Sequence, residues 1–114
     1  MTPAPKVAKR ITKSGGATSG NCQAWLASVV PSNELSTAIE LQRRENTPCN
    51  PQLYNQGGSN ACGVAQELPC GKSGCGMPPN ADGQCQIRWM HSYVMGRYGS
   101  WAKALNHHDR MNWY

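Results

Sequence analysis

Six cysteines at short, irregular spacings constrain the fold of this 114-residue chain more than any other feature of its sequence. An even number of cysteines in a small domain favours disulfides formed outside the cytoplasm, each contributing roughly 2–4 kcal/mol of stability. The chain has no Phe and a mean hydropathy of −0.60, so its apolar core is modest and gains from cross-links. We therefore expect an extracytoplasmic protein whose loops are held by disulfides.

The spacing of the cysteines does not select one pairing among the many that six allow. Cys70 and Cys75 flank Gly-Lys-Ser-Gly and could close a small loop, while Cys22 and Cys49 could join the ends of the first helical pair. Zinc sites usually contain Cys-x2-4-Cys pairs, and only Cys70 and Cys75 come near that spacing. We therefore predict neither a metal nor any other cofactor.

The length allows one domain, which we place at residues 21–114, after a flexible basic arm at residues 1–20. Prolines and glycines interrupt any periodicity in the arm, and it has no acidic residue beside its four basic ones, Lys6, Lys9, Arg10 and Lys13. We favour a solvated linker over an electrostatic contact with nucleic acid, an anionic membrane or a wall polymer. No specific nucleic-acid partner is expected, and the chain is expected to be monomeric or one module of a larger protein.

Targeting signals are not evident in the sequence. No stretch approaches the ~20 apolar residues of a membrane span. The Thr-Pro-Ala-Pro start lacks the apolar centre of a signal peptide, so an exported protein would have lost its signal or would use another route.

The pattern of the domain is mainly α, with irregular loops between the helical runs. Helices are predicted at 22–30 with Asn21 as cap, within 31–45 with Ser32 or Asn33 as cap, from Cys85 to about Tyr98, and from Trp101 to about His108 with Ser100 as cap. Residues 46–60 are rich in Pro, Gly and amides, which is typical of a loop or a short hairpin, and residues 67–84 contain enough Pro and Gly to be irregular as well.

Glu45 closes the second helical run on the same side as its apolar stripe. A carboxylic acid delivers a proton to a glycosidic oxygen near neutral pH only if apolar burial raises its pKa, and this position would supply such surroundings. Taken alone, however, a glutamate at a helix end is more often solvated. The context of Glu45 therefore decides its interpretation.

That context is an ordered set of motifs: Glu45 at a helix end, Asn50-Pro51, Gly63-Val-Ala-Gln66 and then Pro69. Together with the segments 93–101 and 104–114, it resembles the lytic transglycosylase and resuscitation-promoting-factor group of lysozyme-like domains. In that group a helix ends in a catalytic Glu, followed by Asn-Pro, a Gly-Ala turn, Gly-Leu-x-Gln and a Pro. The resemblance covers residues 22–114 and implies an α+β, lysozyme-like fold.

The resemblance also implies roles for individual residues. Glu45 matches the catalytic acid, and Gln66 matches a glutamine whose amide lines the cleft and bonds the sugar or the acid. Gly63 would let the backbone approach the glycan. Further sugar contacts are expected from Tyr54 and from Trp113, which with Tyr114 is our preferred candidate for the rim of the cleft.

Three departures from the group's pattern affect these expectations. Asn46 stands where Ser is usual, and Ala65 stands where Met, Leu or Trp is frequent. The group's Ala-Tyr-Asn-Ala-Gly stretch has become residues 106–114, in which His108 and Asp109 replace the Tyr and the Asn by position. We therefore predict His108 and Asp109 as substrate contacts in their place.

The second carboxylate that most glycosidases need is not clearly placed; only Glu67, Asp82 and Asp109 remain in the right half of the chain. The resemblance thus implies a lytic transglycosylase that cleaves MurNAc-GlcNAc β-1,4 bonds of peptidoglycan with Glu45 as acid and then base. A hydrolytic muramidase that uses Asp109 is one alternative. A non-catalytic, disulfide-rich glycan-binding module is the other.

Overall fold

The computed structural model describes residues 21–55 and 59–114, so the predicted arm lies outside the described residues. These residues form four α-helices: α1 at Cys22–Ala27, α2 at Leu35–Glu45, α3 at Gly83–Arg97 and α4 at Trp101–Met111. A 3-10 turn at Ser32–Glu34 precedes α2. Strand-like pairing in the described part is limited to two isolated bridges, Tyr54 with Cys62 and Cys62 with Glu67. The prediction of a mainly α domain with irregular loops is confirmed.

The helix boundaries follow local capping chemistry in the second half of the domain. Asp82 accepts a hydrogen bond from the backbone N–H of Cys85, and Ser100 accepts one from Lys103, so both begin a helix as good N-caps do. α4 continues three residues beyond the predicted end and stops at Asn112, whose φ of 67° is the left-handed conformation common after a helix.

Of the predicted caps of the first two helices, Asn21 occupies the N-cap position of α1, whereas neither Ser32 nor Asn33 is the N-cap of α2. Asn21 precedes α1 but makes no side-chain cap hydrogen bond, and α1 ends at Ala27 rather than at residue 30. Ser32 and Asn33 lie inside the 3-10 turn, where the N–H of Glu34 already bonds the carbonyl of Pro31. Backbone carbonyls of Pro31 and Ser32 therefore accept the hydrogen bonds from Glu34 and Leu35 where a capping side chain was expected.

The core forms where α2 packs against α1 and α4 and where α3 packs against α1. Every helix contributes buried side chains, and the loop before α3 adds Val64. The largest apolar side chains that the helices bury are Trp101, Leu26, Leu41, Ile87, Met90 and Val94, and Tyr114 joins them from the chain end. Trp101 is fully buried, and its indole N–H donates to Nδ1 of His91 at 3.1 Å. This packing places α2 against both α1 and α4.

Three disulfides tie the loops to this core: Cys22–Cys49, Cys62–Cys70 and Cys75–Cys85. The first is the predicted link, whereas the predicted closure of Cys70 with Cys75 is wrong. The chain doubles back between Cys62 and Glu67, whose backbones exchange two hydrogen bonds, and this brings Cys62 beside Cys70. Cys75 instead joins the first turn of α3 at Cys85.

The chain has no described helix that is both long and apolar enough to cross a membrane.

Candidate active site at the end of the second helix

Glu45 is the last residue of α2, and its side chain is only 4% exposed. Its Oε2 lies 2.9 Å from Nε2 of His108 on α4. The helical spacing of Trp101, Ala104 and His108 places all three on the buried face of α4, which packs against α2. The two helices therefore hold an acid and an imidazole together inside the protein.

Two amide side chains join the end of α2 to the turn formed by residues 62–67. The amide group of Gln42 donates to the carbonyls of Asn46 and Val64, both at 3.0 Å. The amide of Asn46 donates to the carbonyls of Asn50, at 2.8 Å, and Gly63, at 3.0 Å. A serine hydroxyl has one donor and could not bridge both carbonyls. Asn46, which stands where Ser is usual in the group that the chain resembles, thus gives the turn a second attachment to the end of α2.

Gly63 and Gln66 both lie in that turn, and both are buried. Gly63 has a φ of +84°, and a Cβ there would lie 2.7 Å from Nε2 of Gln86. The space beside Gly63 is therefore occupied by the Gln86 side chain, which accepts a hydrogen bond from the N–H of Val64 at 3.1 Å. The approach of a glycan to this backbone stays a prediction.

The amide group of Gln66 is engaged within the protein. It donates to the carbonyl of Gly63 at 3.0 Å and, more weakly, to that of Leu53 at 3.3 Å. These bonds hold Gln66 in a left-handed conformation with a φ of 51°, which few residues other than glycine adopt. Gln66 lies in the turn that Gln42 and Asn46 connect to α2, and its contact with a sugar stays a prediction.

Each further carboxylate considered from the sequence has a partner elsewhere. Asp82 caps α3, and both oxygens of Glu67 accept from Ser73, one from its N–H and one from its hydroxyl. Asp109 is exposed and pairs with Arg44, which also bonds Glu40 at 2.9 Å. The hydrogen bond to Asp109, and to a smaller extent the one to Glu40, raises the pKa of Arg44. Asp109 therefore lies at the surface, while its neighbour His108 faces the interior.

The aromatic residues near the chain end are more buried than a cleft rim requires. Tyr114 is fully buried and donates to the carbonyl of Ala65 at 2.8 Å, so its expected place at the rim is wrong. Trp113 is 8% exposed and packs against His107 and the guanidinium of Arg97. Tyr54, at 41% exposure, is the accessible ring among the predicted sugar contacts.

The charge of Glu45 acts on two tyrosines, Tyr93 and Tyr114, and Tyr93 is the one that was not singled out from the sequence. Burial raises the pKa of Tyr93 to about 12 and raises that of Tyr114 well above its ordinary value, and the charge of Glu45 adds to both shifts. Tyr93 donates to the terminal carbonyl oxygen of Tyr114 at 3.2 Å. The contact between Glu45 and His108 was also missed, although the spacing of Trp101, Ala104 and His108 could have placed His108 on the inner face of α4.

Comparison with known proteins gives no match to any protein-family model, to any curated protein or to any solved structure. Within residues 21–55 and 59–114, no three His, Cys, Asp or Glu side chains are grouped as metal ligands. Glu45 and His108 give the site one carboxyl group and one imidazole, both largely shielded from water.

Proposed function

We propose that the protein is a peptidoglycan-cleaving, lysozyme-like enzyme, and specifically a lytic transglycosylase acting on MurNAc-GlcNAc β-1,4 bonds. The observation that carries this proposal is the buried carboxyl of Glu45, held 2.9 Å from His108 at the end of α2. Gln42 and Asn46 connect this helix end to the turn that contains Gly63 and Gln66. The three disulfides support an extracytoplasmic site of action, as a secreted or wall-associated protein or as part of a phage virion or secretion machine.

Burial suits Glu45 to the role of a general acid. Only 4% of the Glu45 side-chain surface is exposed to solvent, so its carboxyl loses most of the water that would stabilise its charge. Loss of that water favours the neutral form, which can donate a proton. The ends of two helices also hold the group in place, which is the positional control that proton transfer requires.

A single carboxyl group is sufficient for the proposed reaction. Glu45 donates its proton to the glycosidic oxygen as the bond from that oxygen to C1 of MurNAc breaks, and the substrate's N-acetyl group stabilises the cation at C1. Glu45 then accepts the proton of the muramyl 6-hydroxyl as its oxygen bonds to C1. The products are an anhydromuramyl end and a new GlcNAc end, and no water is consumed.

The test is digestion of purified peptidoglycan, followed by mass spectrometry of the released fragments. We expect anhydromuramyl ends from the wild type and none from Glu45→Gln, which keeps the shape of the side chain but cannot donate an acidic proton. Glu40→Gln is the matched control, because Glu40 lies on the same helix but pairs with Arg43 and Arg44 at the surface. Equal cleavage by the wild type and Glu45→Gln would refute the assignment.

The hydrolytic alternative predicts different ends and a different sensitive residue. A muramidase that used Asp109 would leave reducing ends and would lose activity in Asp109→Asn. Because Asp109 is exposed and paired with Arg44, we expect Asp109→Asn to cleave within about tenfold of the wild type, as a surface ion pair contributes roughly 0–1 kcal/mol.

One observation favours the non-catalytic glycan-binding module as the second candidate. The polar groups of the site are engaged inside the protein: Glu45 with His108, and the amide of Gln66 with two carbonyls. Such contacts would also serve a domain that binds glycan without cutting it. Sedimentation with insoluble peptidoglycan separates the two candidates, because the module would bind it while releasing no fragments.

A further inference from the structure

His108 is held in the core with one ring nitrogen paired and the other not. Its side chain is 10% exposed, and Nε2 lies 2.9 Å from Oε2 of Glu45. Among the buried side-chain nitrogen and oxygen atoms of the described residues, Nδ1 of His108 is the one without a hydrogen-bond partner. This asymmetry bears on where the ring carries its proton.

A neutral imidazole carries one proton, on either nitrogen. If Nδ1 carried it, a buried N–H would have no acceptor. If Nε2 carries it, that N–H donates to Oε2 of Glu45 and Nδ1 keeps only an unpaired acceptor site. Buried N–H groups without a partner are rarer in proteins than buried acceptors that are not fully satisfied. The surroundings therefore favour a proton on Nε2.

We propose that His108 is the positioning residue for Glu45: its Nε2–H occupies Oε2 and thereby directs the acidic proton to Oε1. The inference rests on the proposed function, and it replaces the substrate contact expected of His108 from the sequence. A carboxylic acid accepts a hydrogen bond better at its carbonyl oxygen than at its hydroxyl oxygen. With Oε2 accepting from His108, the hydroxyl of the acid form is therefore Oε1–H.

The reaction then uses the two oxygens of Glu45 differently. Oε1 gives its proton to the glycosidic oxygen and later takes the proton of the 6-hydroxyl, while His108 keeps its own proton throughout. Between these transfers Glu45 is a carboxylate, and the hydrogen bond from Nε2 to Oε2 becomes charge-assisted and stronger. His108 thus stabilises the charge that develops in the transition state more than the neutral ground state, which raises kcat rather than substrate affinity.

The kinetic test compares two replacements of His108. In His108→Gln the side-chain amide can still donate near the position of Nε2, whereas His108→Leu has no donor. We expect kcat to fall about 100-fold in His108→Leu with little change in KM, because the acid loses its fixed orientation. His108→Gln should recover kcat to within about tenfold of the wild type. Similar losses in both variants, with each shown to be folded by circular dichroism, would overturn the proposal.

The tautomer is measured directly, without reference to activity, by a long-range proton-nitrogen NMR spectrum of the full chain at a pH where the imidazole is neutral. We expect His108 to show a protonated Nε2 and a bare Nδ1, both in the wild type and in Glu45→Gln, whose amide oxygen still accepts. A bare Nε2 in an enzyme that cleaves peptidoglycan would overturn the His108 assignment alone. Failure of the wild type to cleave peptidoglycan would overturn the proposed function and with it the role of His108.

Discussion

Replacing Gly63 with alanine tests whether the turn beside Glu45 depends on the close approach of Gln86. Gly63 has a φ of +84°, where an L-residue costs about 1–2 kcal/mol. The new Cβ would lie 2.7–2.9 Å from three atoms of the Gln86 amide, which is too close for real contacts. The Gln86 side chain must therefore move when Gly63 becomes alanine.

The cost of that movement can be worked out from the bonds that Gln86 makes. Its Oε1 accepts from the N–H of Val64 at 3.1 Å, and its amide donates weakly to the carbonyl of Pro51 at 3.4 Å. Loss of the first bond leaves a buried N–H unsatisfied, at about 1–3 kcal/mol. With the φ strain, Gly63→Ala should lower the free energy of unfolding by about 2–5 kcal/mol.

Gly74→Ala is the matched control. Gly74 has a similar φ of +79°, but a Cβ there would have no atom within 4 Å, so only the φ strain of about 1–2 kcal/mol applies. The difference between the variants, about 2 kcal/mol, corresponds to a Tm lower by about 8–16 °C in Gly63→Ala for a domain of this size. Thermal unfolding followed by circular dichroism, with the disulfides intact, measures both. Equal decreases in Tm would refute the proposed role of Gln86.

Two further predictions concern stability. Removing the Cys22–Cys49 disulfide by a double alanine substitution should lower the free energy of unfolding by about 3.5 kcal/mol, and removing Cys75–Cys85 should lower it by about 2.7 kcal/mol. In the loop-entropy model the longer separation, 27 residues against 10, constrains the unfolded chain more. Denaturant unfolding that gave the reverse order would contradict this model. Stability should also decline as the pH rises from 10.0 to about 12, because folded Tyr93 keeps a proton that the unfolded chain releases, and the decline should be shallower in Tyr93→Phe. An unchanged slope in unfolding experiments across that pH range would show that Tyr93 does not contribute.

Local sequence signals predicted most of the helical framework. Ser100 was identified as a cap because its side chain needs only the backbone N–H of Lys103, three residues away. The apolar spacing in α2 likewise placed Glu45 on the buried side of its helix, and the structure confirms that burial. These features depend on neighbours within about one helical turn, so they can be inferred without knowing the rest of the fold.

The pairing of the cysteines shows where this local reasoning fails. Cys70 and Cys75 are close in sequence, yet Cys70 joins Cys62 because the 62–67 turn folds back on itself. The lysozyme-like class and the catalytic role of Glu45 stay predictions that the proposed digestion experiment addresses.

The sequence by itself determined a cross-linked, mainly helical domain with a carboxyl group at the inner end of its second helix. Only the tertiary structure decided what meets that carboxyl. Glu45 and His108 are 63 residues apart, and Tyr114 reaches Ala65 across 49 residues, so both contacts depend on how α4 and the chain end pack against α2 and its turn. Helical periodicity fixes which way a side chain faces, whereas the partner it meets is set by the packing of whole elements against one another.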